Sequence, residues 1–318
     1  MRIGVNMFPR DLMTSRDAYL AIAHSAEAFG YDFLSVSDHV VVPTANASDY
    51  PYSEDAKWPG GNSSFCFEAL TAMTFLLAVT QRIKVLSSIV VVPHRPAVLT
   101  AKMLSSMDVL STGRVLLGVG AGWLREEFEA IQAEPFAMRG KVTDEYIDAM
   151  KELWTSDAPT YKGEFVEFSN ISFLPKPVQK PHIPIWIGGE SNIALKRTVR
   201  HGDAWFPGNN NPKWRVDTAA RLKERVAKLH EFAEAEKRDP ASIGLSYIWF
   251  YPVSFTPLAG VDTKRRMFSG SPADMIADIA ALKAIGVSHT SLAFTGRSTT
   301  EIAHSMQRFA DDVMSQLR

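Results

Sequence analysis

Residues 83–92 have the sequence IKVLSSIVVV, an apolar run interrupted by one lysine and two serines. A strand that lacks polar alternation is typical of a parallel sheet whose two faces are both covered. Segments with helical periodicity flank this run, at Phe65–Val79 and Pro96–Leu110. The arrangement predicts an α/β fold built around a parallel sheet.

The same alternation of short β-branched runs and amphipathic segments extends along the chain in both directions. The predicted strands are Ile3–Phe8, Phe33–Ser37, Ile83–Val92, Arg114–Val119, Pro184–Ile187, Ala204–Phe206, Ile243–Phe250 and Ser288–Phe294. The other predicted helices are Ser15–Phe29, Lys141–Trp154, Ser191–His201, Lys213–Lys237, Pro272–Ile285 and Thr299–Leu317. Eight strand–helix pairs without a dividing linker predict a closed (β/α)8 TIM barrel, with residues 1–318 as a single domain.

Three long insertions interrupt the alternation, at Val40–Ser64, Ser156–His182 and Tyr251–Gly270. Segments of this length without regular structure are commonly lids or binding loops. The insertions that follow the second and seventh strands belong to the carboxyl-end face of the barrel, where TIM-barrel enzymes have their active sites. We therefore expect the functional site on that face.

Composition excludes several classes of protein. The chain has 318 residues and a formal net charge of −1, so we expect no nucleic-acid partner. It has no run of about 18 apolar residues, so no membrane span is predicted. The single cysteine, Cys66, excludes an internal disulfide, and the first residues lack a signal-peptide pattern. We expect a cytoplasmic protein, and the scattered histidines predict no metal site.

Ser37, Asp38 and His39 directly follow the second predicted strand. Residues at this end of a barrel strand point into the shared mouth, and histidine can hold or pass a proton near neutral pH. This position makes His39 a candidate catalytic residue. An equally good interpretation is a histidine bound to loop backbone, with Asp38 capping a turn.

Two glycine-rich turns follow later strands. The fourth strand leads into GVGAGW at residues 118–123, and the fifth leads into Gly188, Gly189, Glu190 and Ser191. Glycine permits sharp turns and close approach of the backbone to a flat ligand, although the first turn could equally be a steric requirement between strand and helix. The second turn precedes a helix N-terminus, where free N–H groups favour a phosphate; simple N-capping by Ser191 is the alternative.

Taken together, these segments resemble the bacterial luciferase-like superfamily from the first strand to the last helix. The matching stretches are SDH at 37–39, GRVLLGVGAGWLREEFEA at 113–130, the short segments RG, DEY and LW between 139 and 154, PKPVQKPHIPIWIGGES at 175–191 and GDAWFPG at 202–208. The sequence is most similar to the branch of deazaflavin (coenzyme F420)-dependent oxidoreductases. FMN is the alternative cofactor.

The resemblance implies that the cofactor lies across the carboxyl mouth of the barrel. Asp38 and His39 correspond to the acidic residue and the catalytic histidine of the deazaflavin-dependent relatives. Ser88 and Ile89 correspond to a non-prolyl cis peptide that supports the cofactor ring. The residues assigned in this way to the cofactor are Ser88, Ile89, Gly122, Gly188, Gly189, Glu190, Ser191, Phe206 and Pro207.

One departure from the family concerns the substrate. Sugar-phosphate dehydrogenases of this superfamily have a glutamate directly after the fourth-strand glycine turn as proton donor, and here Trp123 occupies that place. An indole wall favours an apolar or aromatic substrate. Arg297, just after the eighth strand, is the second predicted pocket residue; a solvated loop cation is the alternative for it.

The leading hypothesis for function is hydride transfer between coenzyme F420 and a small organic substrate, with His39 managing the proton. The first alternative is a monooxygenase that receives reduced FMN from a partner reductase and activates oxygen. The second alternative is a flavin-binding protein without turnover. The resemblance also implies a homodimer.

Overall fold

The computed structural model describes residues 1–7, 12–13, 15–44, 48–58, 66–262 and 264–317. Its strands are β1 (Arg2–Asn6), β2 (Phe33–Val36), β3 (Lys84–Val91), β4 (Val115–Gly120), β5 (Tyr161–Lys162), β6 (Glu167–Phe168), β7 (Ile185–Gly188), β8 (Ala204–Phe206), β9 (Gly244–Pro252) and β10 (Val287–Ala293). Eight of these described strands are parallel and close a barrel in the order β1-β2-β3-β4-β7-β8-β9-β10. The predicted (β/α)8 barrel is therefore confirmed.

Helices surround the barrel and connect its strands. They are α1 (Arg16–Ala28), α2 (Ala69–Val79), α3 (Ala97–Leu110), α4 (Arg125–Ala130), α5 (Arg139–Thr155), α6 (Asn192–His201), α7 (Ala219–Ala235), α8 (Pro272–Ile285) and α9 (Thr299–Asp312). Several begin where the sequence supplies a cap: Ser15 accepts a hydrogen bond from the Ala18 N–H, and Ser271 forms a capping box with Asp274. Helix α8 ends at Gly286, whose φ of 101° is left-handed.

The interior is divided into two apolar clusters. The larger cluster lies between the strands and the surrounding helices, and it includes Ile3, Val5 and Met7 of the first strand region. The smaller cluster fills the barrel lumen, and its buried members are Phe33, Leu86, Leu116, Trp186, Ala204, Phe206 and Ile248. Because side chains alternate between the two faces of a strand, every second residue of each barrel strand faces this lumen.

The structure differs from the predicted elements at several places. The short helix α4 was not predicted, and the second insertion contains an antiparallel hairpin of β5 and β6 where only irregular chain was expected. Helix α7 starts at Ala219 instead of Lys213, because Thr218 extends out of the helix and caps it. Phe8 and Phe65, two predicted element ends, lie outside the described residues, as do parts of the first insertion.

Candidate active site at the carboxyl end of the barrel

The carboxyl end of β2 brings His39 beside a buried glutamate. Nδ1 of His39 lies 3.0 Å from Oε2 of Glu127, whose side chain is 2% exposed. The other carboxylate oxygen accepts hydrogen bonds from the N–H groups of Val40 at 2.6 Å and Val41 at 3.2 Å. Glu127 accepts all of these bonds, so Nδ1 of His39 donates and the ring is held in one orientation.

This arrangement leaves Nε2 of His39 as the nitrogen available for chemistry. Nε2 has no hydrogen-bond partner within the part of the chain that the structure describes, and the His39 side chain is 13% exposed. A neutral imidazole protonated at Nδ1 presents a lone pair at Nε2, which can take a proton from a substrate and return it. The pair of His39 and Glu127 is therefore suited to proton transfer.

Sequence reasoning missed Glu127 because only the residue directly after the glycine turn, Trp123, was compared with the glutamate of the sugar-phosphate dehydrogenases. The glutamate instead comes four residues later, on α4. A signal was present in the sequence LREEFEA, where two acidic residues open a segment after the turn. The first of them, Glu126, accepts hydrogen bonds from the N–H and hydroxyl of Ser48, so α4 also anchors the first insertion.

Asp38, predicted as catalytic, is committed to an ion pair. Its carboxylate receives two hydrogen bonds from the Arg95 guanidinium, at 2.7 and 2.8 Å, and one from the Val91 N–H at 2.9 Å. The Asp38 side chain has no exposed surface, and Arg95 also binds Glu68. These contacts give Asp38 a positioning role in joining the carboxyl ends of β2 and β3, because its buried carboxylate is bound by Arg95 and by the Val91 N–H.

Two tryptophans lie against the imidazole and a tyrosine packs on both of them; we call Tyr50, Trp58 and Trp123 the aromatic cage. Trp58 and Trp123 stack at 5.6 Å between ring centroids with an angle of 26°, and Tyr50 meets each of them edge-on at 5.0 and 5.1 Å. The ring centroid of His39 lies 5.2 Å from Trp58 and 6.4 Å from Trp123. The predicted wall at Trp123 is therefore extended by two residues of the first insertion.

The peptide bond between Ser88 and Ile89 is cis, as the resemblance implied. The Ile89 side chain faces three glycines, Gly118, Gly120 and Gly188. A Cβ at Gly120 would lie 2.1 Å from Cδ1 of Ile89, and one at Gly188 would lie 2.9 Å from its Cγ2. The glycines of β4 and β7 therefore accommodate Ile89. The Ser88 hydroxyl is buried without a hydrogen-bond partner among the described residues, so it remains available to a ligand.

The structure itself explains why residue 122 is a glycine. Its φ is +81°, and a Cβ there would lie 2.7 Å from Val91 and 2.8 Å from the Phe128 ring. Its carbonyl accepts a hydrogen bond from Nε of Arg139 at 3.2 Å. Gly122 thus makes the turn that directs the chain from β4 into α4, and this requirement is sufficient to explain the glycine.

The second glycine turn ends β7 and leads into α6. Gly189 has a φ of +96°, and the Ser191 hydroxyl accepts a hydrogen bond from the Ala194 N–H at 3.2 Å. Arg225 donates to the carbonyl of Glu190 at 2.6 Å and to Asn192 at 3.1 Å. A helix N-terminus next to an arginine suits an anionic group, so the geometry is compatible with the predicted phosphate contact as well as with capping by Ser191.

Glu190 points away from that turn and into the protein. One of its carboxylate oxygens accepts the Gly208 N–H at 2.7 Å, and the other accepts Nδ2 of Asn211 at 2.8 Å. Burial raises the pKa of Glu190 to about 7, although these hydrogen bonds act in the opposite direction. The side chain therefore organises the loop after β8, and its predicted contact with a cofactor is replaced by this structural role.

The remaining predicted site residues lie in three different environments. Phe206 is buried in the lumen cluster, with its ring 5.6 Å from that of Trp186. Pro207 is buried, and its carbonyl accepts the Ile248 N–H at 3.0 Å. Arg297 is 93% exposed and pairs with Glu301 on α9, so the solvated alternative describes it better than the predicted pocket.

The described residues contain neither a group of three potential metal ligands nor a helix long and apolar enough to cross a membrane. A comparison with known families gives a match to the luciferase-like monooxygenase family over residues 1–257. The chain belongs to this family. The resemblance seen in the sequence is thereby confirmed, and with it the coarse assignment to oxidoreductases and monooxygenases.

Similar proteins differ in the cofactor that their names give. An uncharacterized protein of Mycobacterium tuberculosis (strain ATCC 25618 / H37Rv) is 36% identical over 238 residues, which are 73% of this chain and 77% of that protein. An FMNH(2)-dependent dimethylsulfone monooxygenase of Pseudomonas putida is 37% identical over 147 residues, covering 45% of this chain and 40% of that enzyme. The structure of an F420-dependent secondary alcohol dehydrogenase with an F420–acetone adduct superposes with a TM-score of 0.75 at 20% identity, covering 99% and 98% of the two chains.

Proposed function

We propose that this protein transfers a hydride between coenzyme F420 and a small apolar or aromatic substrate that bears a hydroxyl or carbonyl group. The observation that supports this proposal best is the pair of His39 and Glu127 inside the aromatic cage. Such a site holds one proton-transfer group against aromatic side chains, at the end of the barrel to which the resemblance assigns the cofactor. Among the described residues, this site contains no nucleophile with an activating base.

The residues at the carboxyl mouth fit a flavin-type cofactor. The N–H groups that open α6 and the guanidinium of Arg225 suit an acidic tail, and the unpartnered Ser88 hydroxyl lies at the cis peptide where a ring is expected. When bound, a deazaflavin supplies a carbon centre that accepts or gives up a hydride.

The role of the protein in this reaction is to position groups and to move one proton. In the oxidation of an alcohol, Nε2 of His39 would take the O–H proton, and in the reduction of a carbonyl it would give a proton to the oxygen; the bound cofactor would supply the matching hydride chemistry. Glu127 holds the ring and stabilises the positive charge on His39 once it is protonated. The aromatic cage provides apolar walls that exclude water from the reacting atoms.

A second candidate function is an FMN-dependent monooxygenase, favoured by the 37% identity to the dimethylsulfone monooxygenase. In that case a partner reductase would supply reduced FMN. The same pair of His39 and Glu127 would then transfer a proton during oxygen chemistry. Under either function we expect a homodimer, as the resemblance implies.

Parallel titrations of the purified protein with oxidised coenzyme F420 and FMN, followed by fluorescence quenching, test the proposal. Tight binding of coenzyme F420 with weak binding of FMN supports hydride transfer, and a substrate screen under nitrogen follows. Preference for FMN, above all in its reduced form, favours the monooxygenase. If neither cofactor binds, the proposed function is wrong. In a working assay, full turnover by His39→Ala would refute the catalytic role of this histidine.

A further inference from the structure

Asn6, the last residue of β1, is a buried amide without partners. The residue is 6% exposed, and neither Oδ1 nor Nδ2 has a hydrogen-bond partner within the residues that the structure describes. Leaving both ends of a buried amide unpaired is costly, so such a group in a native protein calls for an explanation. A bound ligand that completes both hydrogen bonds would provide one.

The direction of the Asn6 side chain follows from its neighbours on β1. Ile3, Val5 and Met7 pack in the outer core between strands and helices. A Cβ at Gly4 would lie 2.4 Å from the ring of Phe33, which belongs to the lumen cluster. Alternation along the strand therefore points Gly4 and Asn6 into the lumen, with Asn6 nearer the carboxyl end.

The surroundings of Asn6 do not satisfy its amide. In register, Asn6 lies between Ser35 of β2 and Ala293 of β10. The Ser35 hydroxyl is already paired with that of Ser291, at 2.6 Å across the strand that holds Asn6. The alanine offers no polar side chain. The amide therefore lies at the carboxyl end of the lumen, and the Ser35 hydroxyl of the neighbouring strand is already engaged.

The chemistry of the amide limits what can bind it. A carboxamide presents one acceptor and one donor side by side, and its complement is a group with an adjacent N–H and C=O, as in a lactam or imide. The pyrimidinedione ring of a flavin or deazaflavin has such an edge. In the barrel order β1 lies opposite β7. A cofactor whose phosphate is held at β7 and α6 would therefore extend across the mouth towards Asn6.

We propose that Asn6 binds the pyrimidinedione edge of the cofactor, with Nδ2 donating to a ring carbonyl and Oδ1 accepting the adjacent ring N–H. This inference rests on the proposed function and adds a cofactor-orienting residue to it. The residue contributes no proton to the reaction; it fixes where the ring lies relative to His39.

The test replaces Asn6 by leucine, which has a similar volume and no polar atoms. Binding of FMN and coenzyme F420 is measured by fluorescence quenching, and the urea midpoint of the free protein is measured alongside. Loss of two hydrogen bonds predicts about tenfold weaker binding or more, while the urea midpoint stays the same or rises because an unpaired amide has been removed. Thr290→Val is the matched control: its hydroxyl is also buried and unpartnered, but it lies on the outer face of β10.

A second variant and a second probe keep the test independent of folding. Asn6→Ser retains a small polar group, and we expect its affinity to lie between those of the leucine variant and the wild type. FMN methylated at the ring N–H should bind the wild type about as weakly as FMN binds Asn6→Leu, and Asn6→Leu should not distinguish the two flavins. Equal affinities of wild type and Asn6→Leu would overturn the inference, as would a lower urea midpoint for the leucine variant. If the wild type binds neither cofactor, the proposed function itself has failed.

Discussion

Replacing Glu127 by glutamine changes one atom of a buried side chain and should reverse the protonation of the His39 ring. The glutamine oxygen can still accept the N–H groups of Val40 and Val41, which bind the same carboxylate oxygen at 2.6 and 3.2 Å. Its NH2 group must then face Nδ1 of His39. A donor facing Nδ1 requires that nitrogen to accept, so the imidazole proton moves to Nε2.

The magnitude follows from the bond that is lost. The contact between His39 and Glu127 is a 3.0 Å hydrogen bond to a carboxylate that is 2% exposed. Hydrogen bonds to charged groups contribute about 1.5–3 kcal/mol, and the new amide contact recovers part of this. We therefore expect the free energy of unfolding to fall by about 2 kcal/mol. Turnover should fall further, because the nitrogen that faces the substrate no longer has a lone pair.

The assay is nitrogen-15 NMR of the histidine rings at a pH where the imidazole is neutral, combined with urea unfolding. The wild type should show His39 protonated at Nδ1, and Glu127→Gln should show it protonated at Nε2. Glu126→Gln is the matched control, because it makes the same change on the same helix at a residue that binds Ser48 instead of His39. An unchanged tautomer in Glu127→Gln, or the same change in the control, would refute the reasoning.

Three further predictions concern stability and are measured by urea unfolding. The pKa of Glu190 is raised from 4.5 to about 7, so the free energy of unfolding of the wild type should fall by up to about 3 kcal/mol relative to Glu190→Gln as the pH rises from 4.5 to 7. A difference in unfolding free energy that stays constant with pH would contradict this. Burial lowers the pKa of His289 from 6.5 to about 4, so the free energy of unfolding of the wild type relative to His289→Leu should fall by at most about 3 kcal/mol as the pH drops through that interval. Parallel pH profiles of unfolding free energy for the two proteins would count against it. Gly118→Ala should be more destabilising than Gly120→Ala. The new Cβ would lie 2.1 Å from the backbone oxygen of Ser87 in the first variant, and 2.1 Å from the flexible end of the Ile89 side chain in the second. The reverse order of stability would show that the strands shift more easily than the side chain.

The fold was predictable because its strongest signals are local. The apolar run of β3 and the caps of α1 and α8 depend on residues close in sequence, and the structure reproduces them within a few positions. Short elements were not predictable in this way. The six residues of α4 are too few to show helical periodicity, and the hairpin of β5 and β6 has only two residues in each strand.

The candidate site was predictable in position but not in its contacts. His39 could be placed at the carboxyl mouth because it directly follows a strand, and Trp123 could be placed there because it follows a glycine turn. The partner of His39 is 88 residues away in sequence, on a helix that gives no periodic signal. Likewise Asp38 follows the same strand as His39, and only the structure shows that its carboxylate is bound by Arg95.

We expect a flavin-type cofactor to lie across the carboxyl mouth, against the cis peptide of Ser88 and Ile89 and within reach of His39. A crystal structure of the protein soaked with the cofactor that binds more tightly tests this most directly. We expect the ring over that peptide with Nε2 of His39 facing the reacting side, and the phosphate at the N-terminus of α6. A cofactor bound at the amino end of the barrel, or outside the aromatic cage with Nε2 facing protein, would contradict it.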